Sequence, residues 1–335
     1  MRATQWTRVV TILGAMVLGT WGAGAAGAAT AEKITLKFGH AQSVSSPIHL
    51  AAVRFADLVA QRTNGRVEVR IYPNSQLGNA GDELKGVEMG SQDLFVDGPG
   101  FLASIEKDWT FMSVGFFLPD MTAVKKIMAS DIGTELKETL RTKRNMRVIA
   151  DNWYRSGRQL FSKKPVASLA DLSGLKIRVP NKTFFETWRQ LGAAPSIVDF
   201  GETFGALQQG VVDAMEGAIA DVYAQKMHQV ARRLILLNYL PQTLPLVFSE
   251  RRFVNLPPDI QKAILDAAQE AGNHMAKLEE DLAKQDIEEM KKEGITVSTV
   301  NLDEWYAKAK PLPAQYEAEG RWKKGLFDRL QAVMK

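Results

Sequence analysis

The residues with the most chemical promise lie between Gly174 and Gly217, and the first of them is Arg178. In Lys176-Ile177-Arg178-Val179-Pro180, two apolar residues alternate with two cations, the period of a half-buried strand. Pro180 has no N–H to give to a ladder, so the strand should end there. Arg178 then stands at a strand's carboxyl end, where open α/β sheets hold their ligands. A guanidinium there matches a carboxylate bidentately, and an unpaired buried charge is very costly, so Arg178 needs an anionic partner. Residue spacing leaves two such partners open: a bound anion or an internal Glu.

Other chemistries find less support. Gly98-Pro99-Gly100-Phe101-Leu102-Ala103 fits the dinucleotide pattern G-x-G-x-x-A, but it follows the third strand and Pro99 stiffens its turn. A Gly-rich turn lining a cleft is the better reading. The four histidines have no partners at zinc spacing, and neither a G-x-S-x-G nor a phosphate-binding loop occurs. Asp213 and Glu216 form one acid pair among many. No catalytic group, cofactor or metal site is expected.

The elements that must position Arg178 follow from periodicity. Alternation predicts strands over Lys33–Gly39, Val67–Ile71, Asp93–Val96, Met146–Ala150, Gln159–Phe161, Ser196–Phe200, Val211–Gly217, Arg233–Leu240 and Leu244–Ser249. Helices intervene, notably from Ser46-Pro47, over Ala80–Met89, twice within Met121–Lys143, and over Lys182–Leu191. Strands alternating with helices predict βαβ units and mainly parallel sheets. Ile260, Ile264, Ala267, Ala271, Met275, Leu278 and Leu282 mark a helix running from Pro258 to about Glu293, with Gly294 as its stop. At about 1.5 Å per residue it measures roughly 50 Å, enough to strut two lobes. The aromatic run Thr110–Pro119 reads as core beneath a loop.

Arg2 and Arg8, the apolar stretch Val9–Trp21 and a Gly/Ala tail have the order of a secretory signal peptide, with 1–28 removed on export to the periplasm. Without Arg2 and Arg8, the 42 basic residues become 40 against 38 acidic, a charge of +2 and no footprint for nucleic acid. The chain has no cysteine, so an exported fold must be held by its core.

Leu175-Lys-Ile-Arg-Val-Pro180, Gly192-Ala-Ala-Pro195 and Ala206-Leu-Gln-Gln-Gly-Val-Val-Asp213 followed by Glu216 resemble the solute receptors of tripartite ATP-independent periplasmic (TRAP) transporters. Gly65-Arg-Val-Glu-Val, Tyr72-Pro, Gln76-Leu-Gly78, Gly157-Arg-Gln159 and Leu256-Pro-Pro-Asp-Ile-Gln261 extend the likeness over the mature chain. The resemblance implies a two-lobed α/β periplasmic binding protein fold with crossing hinge strands and a lobe-spanning helix. Its lobes are 32–153 with 243–283, and 154–242 with 284–335. It implies a monomer that binds a small organic acid, a dicarboxylate or hydroxy acid among the options, and hands it to the small and large membrane subunits. By motif, Arg178 resembles the ligand-clamping arginine, Arg158 a second arginine and Phe200 the aromatic after the next strand.

Glu216-Gly217 departs from the family's frequent Glu-Asn, and Trp153, Phe184 and His40 complete the candidate ligand-binding set. Gly98 and Phe101 stand where sialate-binding relatives carry charges, which disfavours sialic acid. A periplasmic enzyme for an organic acid and a receptor serving a sensor kinase are the alternative functions.

Overall fold

A computed structural model describes residues 33–335, so the expected leader lies outside the described residues. Eleven strands form two sheets: β1 (Ile34–Gly39), β2 (Val67–Tyr72), β3 (Leu94–Val96), β4 (Met146–Arg155), β5 (Gln159–Ser162), β6 (Lys176–Val179), β7 (Ala194–Ile197), β8 (Ala214–Gly217), β9 (Arg233–Leu236), β10 (Gln242–Ser249) and β11 (Thr296–Thr299). The first sheet has the order β2-β1-β3-β10-β4 and the second β11-β9-β5-β8-β6-β7.

The expected βαβ units form, with β1 parallel to β2 and β3, and β6 parallel to β7 and β8. The sheets are nonetheless mixed, which corrects the mainly parallel expectation. β10 runs antiparallel to β3 and β4, and β5 antiparallel to β8 and β9. These two strands begin where the chain passes between sheets, through residues 156–158 and 237–241, so each enters its sheet without the βαβ crossover that would hold it parallel to a neighbour.

Local signals set most element ends. Ser46 caps Pro47–Arg62, its side chain accepting from His49 N, and Asn181 caps Lys182–Gln190 in the same way through Thr183 and Phe184 N–H groups. The long helix covers Pro258–Lys292, and Gly294 follows at φ +78°, a conformation glycine adopts at no steric cost. One end packs Ile260, Ile264, Ala267 and Ala271 under the first sheet with Phe38, Phe55 and Trp153. Its other end inserts Met290 among Phe161, Met215 and Leu234 under the second sheet. Between them, buried Glu279 accepts Ser156 N–H at 3.1 Å, pinning the helix to the first crossing.

The run Thr110–Pro119 supplies Phe111, Met112 and Val114 to the largest core cluster, as expected. Three C-terminal helices add Trp305, Tyr316, Leu326 and Leu330 to it, and the link before the last of them adds Trp322. Among the described residues, no helix is long and apolar enough to cross a membrane.

Candidate functional site

A cavity lies between the two sheets, with about 660 Å³ of empty space when its open mouth is counted. Arg178 reaches it from the end of β6, the strand that Pro180 terminates. Its guanidinium is buried and Nε donates to Val198 O at 2.8 Å. Among the described residues it forms no ion pair with a carboxylate. Burial lowers its pKa to about 10, with Glu216 opposing the shift and nearby Arg158 reinforcing it, so Arg178 remains charged at neutral pH.

Arg158 differs in the feature that matters. Its Nε contacts Glu216 Oε2, its Nη2 donates to Glu216 Oε1 at 2.8 Å, and its Nη1 donates to Gln242 Oε1 at 3.2 Å. Burial works against its charge, yet the Glu216 carboxylate more than offsets this and the pKa is raised. Tyr239 Oη donates to Glu216 Oε2 at 2.6 Å and completes a buried triad. Arg158 also stands 5.0 Å over the Phe184 ring, and Arg178 stands 5.7 Å over the Phe200 ring.

The structure thus brings Arg178, Arg158, Phe184, Phe200 and Gly217 to one cavity, with Gly98, Gly100 and Phe101 also in its lining. Phe200 arrives differently from the expectation: β7 stops at Ile197, and Phe200 opens a short 3-10 turn, Phe200–Glu202. At Gly217, a Cβ would meet Val222 Cγ2 at 2.9 Å, which explains why this chain carries no side chain there.

Three candidates lie behind the wall. Glu216 is fully buried and reaches the cavity only through Arg158. Trp153 belongs to the first sheet's core, with its Nε1 donating to Ala268 O at 3.0 Å and its ring against Phe38. His40 is buried against His49, Nε2 to Nδ1 3.1 Å, and burial first, then His49, lowers its pKa to about 3.

Residues that sequence reasoning passed over complete the wall: Gln42, Asn79, Asp97, Arg155, Asn181, Asp199, Asp221 and Gln242. Asp97 follows β3 directly, so the strand-end argument that singled out Arg178 reaches it too. Nothing local marks Asp221. Asn79 Nδ2 donates to Asp199 Oδ2 at 3.2 Å, and a Cβ on Gly100 would meet Asn181 Nδ2 at 2.7 Å, so the two sides of the cleft are in contact.

The family model described as bacterial extracellular solute-binding protein, family 7, matches residues 38–319. The chain belongs to that family. It is a solute-binding receptor of the TRAP type, not an enzyme. The 2,3-diketo-L-gulonate-binding periplasmic protein YiaO of Escherichia coli is 32% identical over 267 residues, 79% of this chain and 81% of that protein. The C4-dicarboxylate-binding protein DctB of Bacillus subtilis is 26% identical, over 85% of this chain and 83% of its own. The structure of a TRAP periplasmic solute-binding protein from Ochrobacterium anthropi with bound L-fuconate superposes with a TM-score of 0.85 at 31% identity. That match covers 90% of this chain and 100% of the other. The two-lobed α/β fold follows from these matches.

Proposed function

We propose that this receptor captures a small organic acid by its carboxylate at Arg178, closes over it, and delivers it to the small and large membrane subunits of a TRAP transporter. The observation that carries this reading is the contrast between two buried guanidiniums in one cavity wall. Arg158 has its carboxylate in Glu216, whereas Arg178 has none, and a buried unpaired cation is stabilised by an anion that enters. Relatives that bind 2,3-diketo-L-gulonate and L-fuconate support an acid as the ligand.

In this reading Arg178 clamps the carboxylate, Arg158 supplies a second cation, and Phe200 with Phe184 packs against the ligand's carbon skeleton. Gly217 offers the ligand no side chain, and Glu216 positions Arg158. The lobes are 32–153 with 243–283, and 154–242 with 284–335, so the wall residues come from both and the ligand favours the closed state. The mature receptor acts as a periplasmic monomer after loss of 1–28.

A thermal-shift screen of organic acids on the mature protein, repeated on Arg178→Ala, tests the capture step. Ligand at 100 times its Kd stabilises by about 2.7 kcal/mol, and Arg178→Ala is expected to keep its fold but lose that gain. Equal stabilisation of both proteins would remove Arg178 from the site.

A further inference from the structure

The strands that meet the crossings have two faces, and successive side chains alternate between them. Arg155 on β4 and Gln242 on β10 line the cleft cavity, whereas their neighbours Tyr154 and Thr243 line a second cavity behind. The two cavities share no lining residue. The rear one is the larger, a groove with about 2020 Å³ of empty space when its open mouth is counted.

The sides of this groove belong to different sheets. Met121 and Ala129 come from the helix Met121–Ala129, which packs on β10 of the first sheet. Ile219 opens the helix that follows β8 of the second sheet. The long helix contributes Ala276, just past the end that packs under the first sheet. One helical turn also joins the two cavities. Ile219 lines the rear groove, and two residues on Asp221 lines the cleft, its Oδ2 3.0 Å from Arg155 Nε.

We infer that the rear groove sets the balance between open and closed receptor, and through it the ligand affinity, from outside the ligand site. This rests on the ligand-driven closure proposed above. Walls that pivot on segments lying between two cavities move in opposite senses on the two sides, so widening the cleft narrows the groove. Separating Asp221 from Arg155 in front carries Ile219 towards the Met121–Ala129 helix behind. The small side chains of Ala129 and Ala276 leave the space into which the groove narrows. Bulk added there fits while the two sides of the cleft touch and obstructs the open form alone, so it shifts the balance towards closure. Apparent affinity rises with the closed fraction.

The test uses the absence of cysteine, which lets a fluorophore pair be placed at Lys85→Cys and Glu202→Cys alone. These positions lie in the helix before β3 and the turn after β7, one on each side of the cleft. Single-molecule energy transfer on the unliganded mature protein reads the long-distance and short-distance populations. Ala129→Trp and Ala276→Trp are each expected to lower the ratio of long to short about three- to tenfold. Lys277→Trp, on the same helix as Ala276 but outside the groove lining, is expected to leave it unchanged. Calorimetry with L-fuconate, the acid bound by the Ochrobacterium anthropi relative, should show the Kd falling as the closed fraction rises. Groove variants that match wild type in their populations, or that gain the long distance, overturn the inference. So does a Kd unmoved beside a shifted population. The populations decide if L-fuconate is not bound, and either tryptophan decides if the other variant fails to fold. A wild type holding only the short distance has no open form for the groove to oppose, which sinks the inference and leaves capture at Arg178 to its own thermal-shift result.

Discussion

Arg158 and Arg178 are one residue type, in one wall, both buried, and their substitution should move stability in opposite directions. Removing Arg158 strands Glu216, a fully buried carboxylate whose remaining hydroxyl donor is Tyr239. Breaking a buried pair in this way costs about 3–5 kcal/mol. Removing Arg178 takes away a buried cation that has no carboxylate contact, so the unliganded protein should be as stable as wild type or more so. Urea melts without ligand check this. An Arg178→Met variant destabilised as much as Arg158→Met would refute the asymmetry on which carboxylate capture stands.

Glu83 makes a second prediction on the same scale. It is buried beneath Gly39 with neither carboxylate oxygen hydrogen-bonded, and burial first, then Asp97 and Asp82, pushes its pKa up to about 9. A carboxyl group raised in the folded state binds more protons there than in the unfolded chain, so its contribution falls as pH rises. The window opens at the ordinary value of 4.5 and closes near 9. Within it the slope is about 1.4 kcal/mol per pH unit. Glu83→Gln should flatten stability against pH across that window and gain most on wild type at its alkaline end. Parallel slopes for the two proteins would show that Glu83 is ionised.

At the scale of elements, the cleft closes through loops at strand ends. A Cβ on Gly100 would meet Ser113 Oγ at 2.6 Å and Asn181 Nδ2 at 2.7 Å. Asn181 is also the cap of Lys182–Gln190 and cannot yield without uncapping that helix. Gly100→Val should therefore hold the cleft ajar, enlarging the radius of gyration with ligand present and weakening binding about tenfold or more. Unchanged scattering and affinity would show that the Gly100 turn does not gate closure.

The element ends that sequence disclosed are those with a chemical stop. Pro180 ended β6 and so placed Arg178, Gly294 ended the long helix, and Asn64-Gly65 ended the first helix. Where no stop exists, the register drifted: β7 ends at Ile197 and β9 at Leu236, short of the apolar runs that suggested them. Burial by distant partners was not legible at all. Trp153 reads locally as a cleft aromatic, and it is core because Ala268, 115 residues on, receives its N–H. Arg155 and Asp221 meet only once β4 and the helix Ile219–Ala224 are folded together, so their ion pair leaves no trace in spacing.

For the whole molecule, family resemblance carried what periodicity could not: the two-lobed arrangement and the receptor role. Periodicity supplied the βαβ units and the long strut, but missed the antiparallel β5 and β10. Both strands enter their sheets from the other sheet and not through a βαβ unit, and strand composition carries no mark of that.

The order in which the core is assembled has a consequence for synthesis. Trp305, Tyr316, Trp322, Leu326 and Leu330 arrive last, yet they pack in the cluster that already holds Trp109, Leu160 and Trp188. β11, at the edge of the second sheet, covers β9. A nascent chain cannot finish its largest core until its C-terminal residues have left the ribosome, and until then β9 offers an open edge. A chain cut at Gly294 should accordingly fail to refold cooperatively and should aggregate, as dilution from urea with light scattering would reveal.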